Sequence, residues 1–307
     1  MNIMNGVVTF RDYNGTGREF KALRVRGLRV LRAARPIIIE NRYIEFLELE
    51  DCIVDNLSAP RLRYLSLYDS FIASPLPTDL HELSIYLPPV NFGIFRFDKL
   101  RYLEVQGWRS NKEPITLQLP ELEYLYCESV IVTSLDTPKL KTLVLQGSPL
   151  LGRYPTSLED LSLRQVDVGR LDGLVNLRRL HINPSRRCKI SLNAPKLREL
   201  FCRNVDITQA YLPSLRCLYM ERVRFMPRLP SNLEELIMIS CRSRNLSHLY
   251  KLRSLICVNG SERRLGLRGL RNLKECILRN IHKDNSNAII RSARRAVWEF
   301  PARPHSI

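Results

Sequence analysis

The sequence predicts a β-rich solenoid of short coils, a right-handed curved stack with one parallel sheet on its concave side. Three observations carry this. A six-residue phrase, apolar-x-x-apolar-x-apolar, recurs along the 307 residues. Its copies begin 18 to 24 residues apart. Many copies follow a proline by two or three residues, as in APRL, LPTDL, LPEL, TPKL, YPTSL, APKL, LPSL and LPSNL. A fixed period of this length marks a stack of supersecondary units, each too small to bury its apolar face alone.

In chain order, a weak copy FKALRV begins at Phe20 and is followed by IEFLEL from Ile44, LRYLSL from Leu62 and LHELSI from Leu80. LRYLEV from Leu100, LEYLYC from Leu122, LKTLVL from Leu140 and LEDLSL from Leu158 continue the series. LRRLHI from Leu177, LRELFC from Leu197, LRCLYM from Leu215, LEELIM from Leu233, LRSLIC from Leu252 and LKECIL from Leu273 complete it. Alternation within LxLx selects a strand with its leucines on one face. Eighteen residues must hold the strand, a return arm and two corners, which leaves no room for a helix of average length. The arms SVIVTSL, QVDVGRL, NVDITQA and RVRFMPR are β-branched and alternating, so extended backbone is expected there. Proline suits the corner into the strand, where its fixed φ helps and its missing donor is not needed.

These LxxLxL units resemble the leucine-rich repeat family, from Leu62 to Leu273 in nearly every copy, over about four-fifths of the chain. The short units with leading prolines are similar to those of bacterial effector proteins. The resemblance implies a non-catalytic interaction scaffold and makes a substrate-recruiting adaptor or host-directed effector conceivable. One departure matters. The ninth unit position, where many members carry asparagine, holds Cys52, Ser70, Val130, Ser148, Val166, Val205, Val223 and Cys241, so no asparagine ladder is expected. The organisation read from this pattern is an N-terminal cap over 1–19, a solenoid of about 14 repeats over 20–280, and a C-terminal capping helix and tail over 281–307. The helix, 286–300, would carry Ile289, Ala293, Ala296, Val297 and Phe300 on one stripe.

No apolar run is long enough to span a bilayer, and MNIMNGVVTFRDYNG lacks the cationic head and apolar stretch of a secretion signal, so an intracellular location, cytoplasmic or nuclear, is expected. Six of the eight cysteines (Cys52, Cys127, Cys202, Cys241, Cys257 and Cys276) fall in core register, as reduced thiols do in such compartments. There is no CxxC pair, metal-ligand spacing, phosphate-binding loop, dinucleotide fingerprint or nucleophile elbow, so neither metal, cofactor nor enzymatic activity is expected.

The net charge of +17 sits at the ends: residues 1–43 carry +6, residues 240–307 carry +11, and the middle is neutral. Solubility alone accounts for such a bias. The alternative is nucleic-acid or anionic-surface binding through Arg263, Arg264, Arg268, Arg271, Arg291, Arg294 and Arg295.

If the leucines point inward, the third, fifth and seventh unit positions emerge on the concave sheet. They are Phe46, Glu48, Tyr64, Tyr68, Tyr86, Tyr102, Glu104, Tyr124, Tyr126 and Glu128, with Glu50 and Glu82 interleaved. Strand propensity by itself enriches aromatics, but a cluster of them in water is typical of an interface. Tyrosine among glutamates suits a protein or peptide partner carrying basic residues and repels phosphate. Beyond Leu158 the same positions turn to Arg164, Arg179, His181 and Arg203, then to Ile237, Ile239, Ile256 and Val258.

Overall fold

The computed structural model describes residues 2–4, 6–86, 94–107, 114–241, 245–259, 265 and 267–279. The expected helix 286–300 lies outside the described residues, as do Arg263, Arg264, Arg291, Arg294, Arg295 and the side chain of Arg268.

The LxL of each unit before the last forms a strand because its two alternate apolar residues bury on one side; in the last, Cys276 and Leu278 are only half-buried. Leu65 and Leu67, Leu125 and Cys127, and Leu236 and Met238 are all 2% exposed or less. Fourteen such strands, preceded by two from the N-terminal segment, make one long sixteen-stranded sheet. Its strands are Asn2–Met4, Val7–Tyr13, Gly27–Ala33, Phe46–Glu50, Tyr64–Tyr68, Glu82–Tyr86, Tyr102–Gln106 and Tyr124–Glu128. Thr142–Gln146, Asp160–Arg164, Arg179–Asn183, Glu199–Arg203, Cys217–Glu221, Glu235–Ile239, Ser254–Val258 and Glu275–Arg279 continue it. Every strand from Val7–Tyr13 onward runs parallel to the next. Asn2–Met4 folds back antiparallel on Val7–Tyr13, turning through Gly6 at φ 78°.

The return arms build the opposite wall from three short parallel sheets. These are Ile37–Glu40 with Ile53–Ser58 and Phe71–Ile72; Ile94–Arg96 with Pro114–Gln118 and Ile131–Asp136; and Cys188–Asn193 with Val205–Tyr211. Leu47 and Leu49 from the long sheet and Ile37 and Val54 from the short one belong to a single core. The expected arms at Ile131 and Val205 are strands, whereas QVDVGRL and RVRFMPR form none. In the latter, Pro227 removes a donor, and the arm keeps a bond from the Ile207 amide to the Phe225 carbonyl at 2.9 Å.

The first unit needs a correction. FKALRV from Phe20 is not a strand: 18–22 is a 3-10 turn that drops Phe20 into the core, and the strand is Gly27–Ala33, with Leu28 and Val30 fully buried. Leu28 pairs in register with Leu47, so the unit starts at Val25, 19 residues before Ile44. The turn opens at Gly17, φ 90°, where an added Cβ would lie 2.0 Å from the Ile38 carbonyl oxygen.

Nine coils leave the long sheet through one left-handed residue: Asp51, Asp69, Ser129, Gly147, Gln165, Asn204, Arg222, Ser240 and Asn259 all have φ between 45° and 57°. The kink turns that residue's amide onto the last strand carbonyl of the next coil, as in Asp51 to Tyr68 and Ser129 to Gln146, both 2.9 Å. The ninth position then follows, pointing inward. Ser70 Oγ accepts from the Cys52 amide at 3.0 Å and donates to the Tyr68 carbonyl at 2.7 Å. Ser148 does the same between Val130 and Gln146 at 3.0 and 3.2 Å. The thiols of Cys52 and Cys241 point at carbonyls 3.2 to 3.4 Å away. Serine and cysteine thus satisfy the buried corner amides and carbonyls without asparagine.

Candidate functional site

In-register parallel stacking sets the side chains on the outer face of the long sheet into three columns. The first runs Phe46, Tyr64, Glu82, Tyr102, Tyr124, Thr142 and Asp160. The middle one runs Glu48, Ser66, Ser84, Glu104, Tyr126, Val144, Ser162 and His181. The third runs Glu50, Tyr68, Tyr86, Gln106, Glu128, Gln146 and Arg164. All ten predicted interaction residues therefore share one face, as the leucine register requires.

Spacing between adjacent strands brings aromatic rings into stacking distance. Tyr68 lies on Tyr86 with centroids 4.2 Å apart and planes 8° from parallel. Tyr102 lies on Tyr124 at 4.6 Å and 5°. Tyr64, Tyr68, Tyr86, Tyr124 and Tyr126 remain half-buried, so each leaves part of its side chain uncovered. Tyr102 and Glu104 do not. Both were expected to emerge, but they are 8% and 4% exposed. Tyr102 is covered by the ring of Tyr124, and Glu104 is held by the Tyr102 hydroxyl at 3.2 Å and the Gln106 amide at 3.1 Å. Tyr86 also donates to Glu104; burial first, then this bond, pushes its phenol up.

The other carboxylates differ in their partners. Glu48 pairs with Arg29 at 2.7 Å. Glu128 accepts from Tyr126 at 2.7 Å and Gln146 at 2.9 Å. Burial and the Glu128 bond push the Tyr126 phenol up. Glu50 is exposed. Glu82 is half-buried, and burial alone pushes its carboxyl above the ordinary range.

Further along, the face closes over itself. Asp160 takes a two-pronged bond from Arg179 at 2.5 and 2.7 Å, and Val144 and Ser162 are buried at 5% and 0%. His181, pushed down to about 4 by burial and by Arg164, meets the Phe201 ring edge-on at 4.1 Å. Phe201 stacks on Tyr219 at 4.2 Å. Ile237 and Ile256 extend this middle column, half-buried, with Ile239 and Val258 beside them. A polar groove of about 880 Å³ opens at the strand ends, among Glu128, Gln146, Gln165, Asn183 and Arg203.

One pattern was missed in the sequence. The second residue of every unit from Glu45 to Lys274 is charged or histidine, and these residues line up along the edge where the strands begin. Arg26 meets Glu45 at 2.7 Å, Lys141 meets Glu123 at 2.8 Å and Arg178 meets Glu159 at 3.3 Å. Such exposed pairs are screened by water and salt and contribute little to stability. Reading the second position down the aligned units would have revealed the column.

Of the arginines proposed for anion binding, Arg271 is described and is exposed. Among the described residues no group of three or more His, Cys, Asp or Glu is placed to hold a metal ion, and no helix is long and apolar enough to cross a membrane. Burial pushes the Cys127 thiol to about 12 and the Cys257 thiol to about 11, far from a reactive thiolate.

No protein-family model and no curated protein matches the chain. Among solved structures, an internalin (InlF) from Listeria monocytogenes is similar at 18% identity, over 84% of this chain and 76% of that one, with a TM-score of 0.37. The class rests instead on the coils described above. Parallel strands bearing LxxLxL, stacked in register in one long sheet and closed by short return arms, define a leucine-rich-repeat solenoid. The chain is a repeat protein of that fold.

Proposed function

We propose that this protein is a non-catalytic scaffold that grips a protein or peptide partner on the outer face of the long sheet, over the strands from Phe46–Glu50 to Tyr124–Glu128. The observation that supports this most is the set of five half-buried tyrosines, four of them in stacked pairs or hydrogen-bonded to a carboxylate. Rings ordered before binding lose little further entropy when a partner covers them. The face positions of these five strands carry Glu48, Glu50, Glu82, Glu104 and Glu128 and no lysine or arginine, although the whole chain is +17. The local charge favours a basic polypeptide.

The experiment is affinity capture with the intact chain, compared with a Tyr64→Ala, Tyr86→Ala, Tyr124→Ala variant that keeps its circular dichroism spectrum. A partner lost from the variant supports the reading. The same partner recovered in equal amount removes it.

A further inference from the structure

We infer that Glu82 is the specificity-determining residue of this face and takes the cationic head of a lysine or arginine side chain, beside the half-buried Tyr64. The inference rests on the scaffold reading above and adds to it the chemistry of the contact.

The argument starts from the unequal treatment of five carboxylates. Glu48 has Arg29, Glu104 has Tyr86, Tyr102 and Gln106, and Glu128 has Tyr126 and Gln146. Glu50 is exposed to water. Glu82 alone among them is half-buried with no hydrogen bond or ion pair to any described residue, and desolvation is the sole influence on its carboxyl. A partly desolvated, unpaired charge is costly, and where the carboxyl stays ionised an arriving cation offsets that cost.

Its surroundings fit such a cation. In register, Glu82 stands between Tyr64 on one strand and Tyr102 on the other, and Tyr102 is itself fixed against Tyr124. Of these two neighbours Tyr64 keeps ring surface open; an aromatic face attracts an ammonium or guanidinium through the ring quadrupole, and the adjacent carboxylate supplies a charge-assisted hydrogen bond. The protein's own cations nearby in sequence are committed to the edge column: Arg63 contacts His81 at 3.0 Å, and neither Arg63 nor Arg101 pairs with Glu82 among the described ion pairs. The isosteric change Glu82→Gln removes the charge and keeps the shape.

The test is to pan the full chain against a random dodecapeptide phage library, with the Tyr64→Ala, Tyr124→Ala double variant as counter-selection. The probes are then the selected peptides, each made also with citrulline in place of arginine and with norleucine in place of lysine. The expected result is enrichment of Arg or Lys in binders that depend on the tyrosines. Glu82→Gln should weaken each by roughly tenfold or more, the effect of one charge-assisted bond, and the neutral peptides should no longer distinguish wild type from Glu82→Gln. Glu50→Gln should change affinity less than about twofold, as a solvated charge does. Tyrosine-dependent binders without basic enrichment, or equally tight on Glu82→Gln, overturn the assignment of Glu82 and leave the scaffold intact. No tyrosine-dependent binders at all overturns both.

Discussion

The ring of Tyr124 covers that of Tyr102 almost in parallel, 4.6 Å between centroids, so that one tyrosine of the pair is buried and the other is half-open. The two have different jobs despite identical positions in consecutive units. Tyr102 is the floor, and Tyr124 keeps part of its ring uncovered.

Replacing Tyr124 with alanine is therefore expected to do two things. It should uncover Tyr102 and lower stability by about 1 kcal/mol, the worth of an aromatic pair beyond its buried area. It should also lower partner affinity by about 2 kcal/mol, as loss of an anchor does. Urea unfolding and titration calorimetry separate the two effects. A change in stability alone would make Tyr124 a packing residue.

The corner serines give a second prediction. Ser70 serves the Cys52 amide and the Tyr68 carbonyl at once, and it is 3% exposed. Ser70→Ala should strand the Cys52 amide, while the Tyr68 carbonyl keeps the Asp51 amide at 2.9 Å, and should cost about 1 to 3 kcal/mol, measured as a shift of the urea midpoint. Ser157→Ala, which removes a hydrogen bond at a part-buried site, should cost less.

Two groups on the face set opposite pH dependences. The Glu82 carboxyl titrates higher in the folded chain than in the unfolded one, so the folded state holds the extra proton and stability falls as pH rises through the folded value. Glu82→Gln should raise the melting temperature at pH 7, with the gain vanishing below pH ~4, where both states are protonated. His181 is pushed down to about 4 from an ordinary value near 6.5. Its contribution is complete above ~6.5 and is lost as pH falls from there towards 4. His181→Gln should flatten that stretch of the melting curve. Thermal melts from pH 3 to pH 8 on wild type and both variants check the signs. Curves that stay parallel throughout would refute both.

What the residues disclosed in advance follows a clear physical line. Leu65, Leu67, Leu125 and Cys127 declared their inward direction by period alone, and that direction fixed the ten face residues. Tyr102 and Glu104 could not be sorted from Tyr124 and Glu128 this way. Their burial depends on which neighbour leans over which, and period carries no such information. Phe20 misled for a related reason: its phrase alternates correctly, but Gly17 allows a tight turn whose first large apolar residue fills the core without a strand. The roles of Ser70 and Cys52 were hidden because the absence of asparagine draws the eye before the hydroxyl and thiol that replace it.

The charged column along the strand-entrance edge constrains how such an array can change length. Arg101, Glu123, Lys141, Glu159 and Arg178 alternate in sign from coil to coil, and each coil touches chiefly the ones beside it. Excising the coil of Glu123 would set Arg101 against Lys141, two like charges, whereas excising the coils of Glu123 and Lys141 together would leave Arg101 facing Glu159. In this stretch, insertions and deletions that respect electrostatics come two coils at a time.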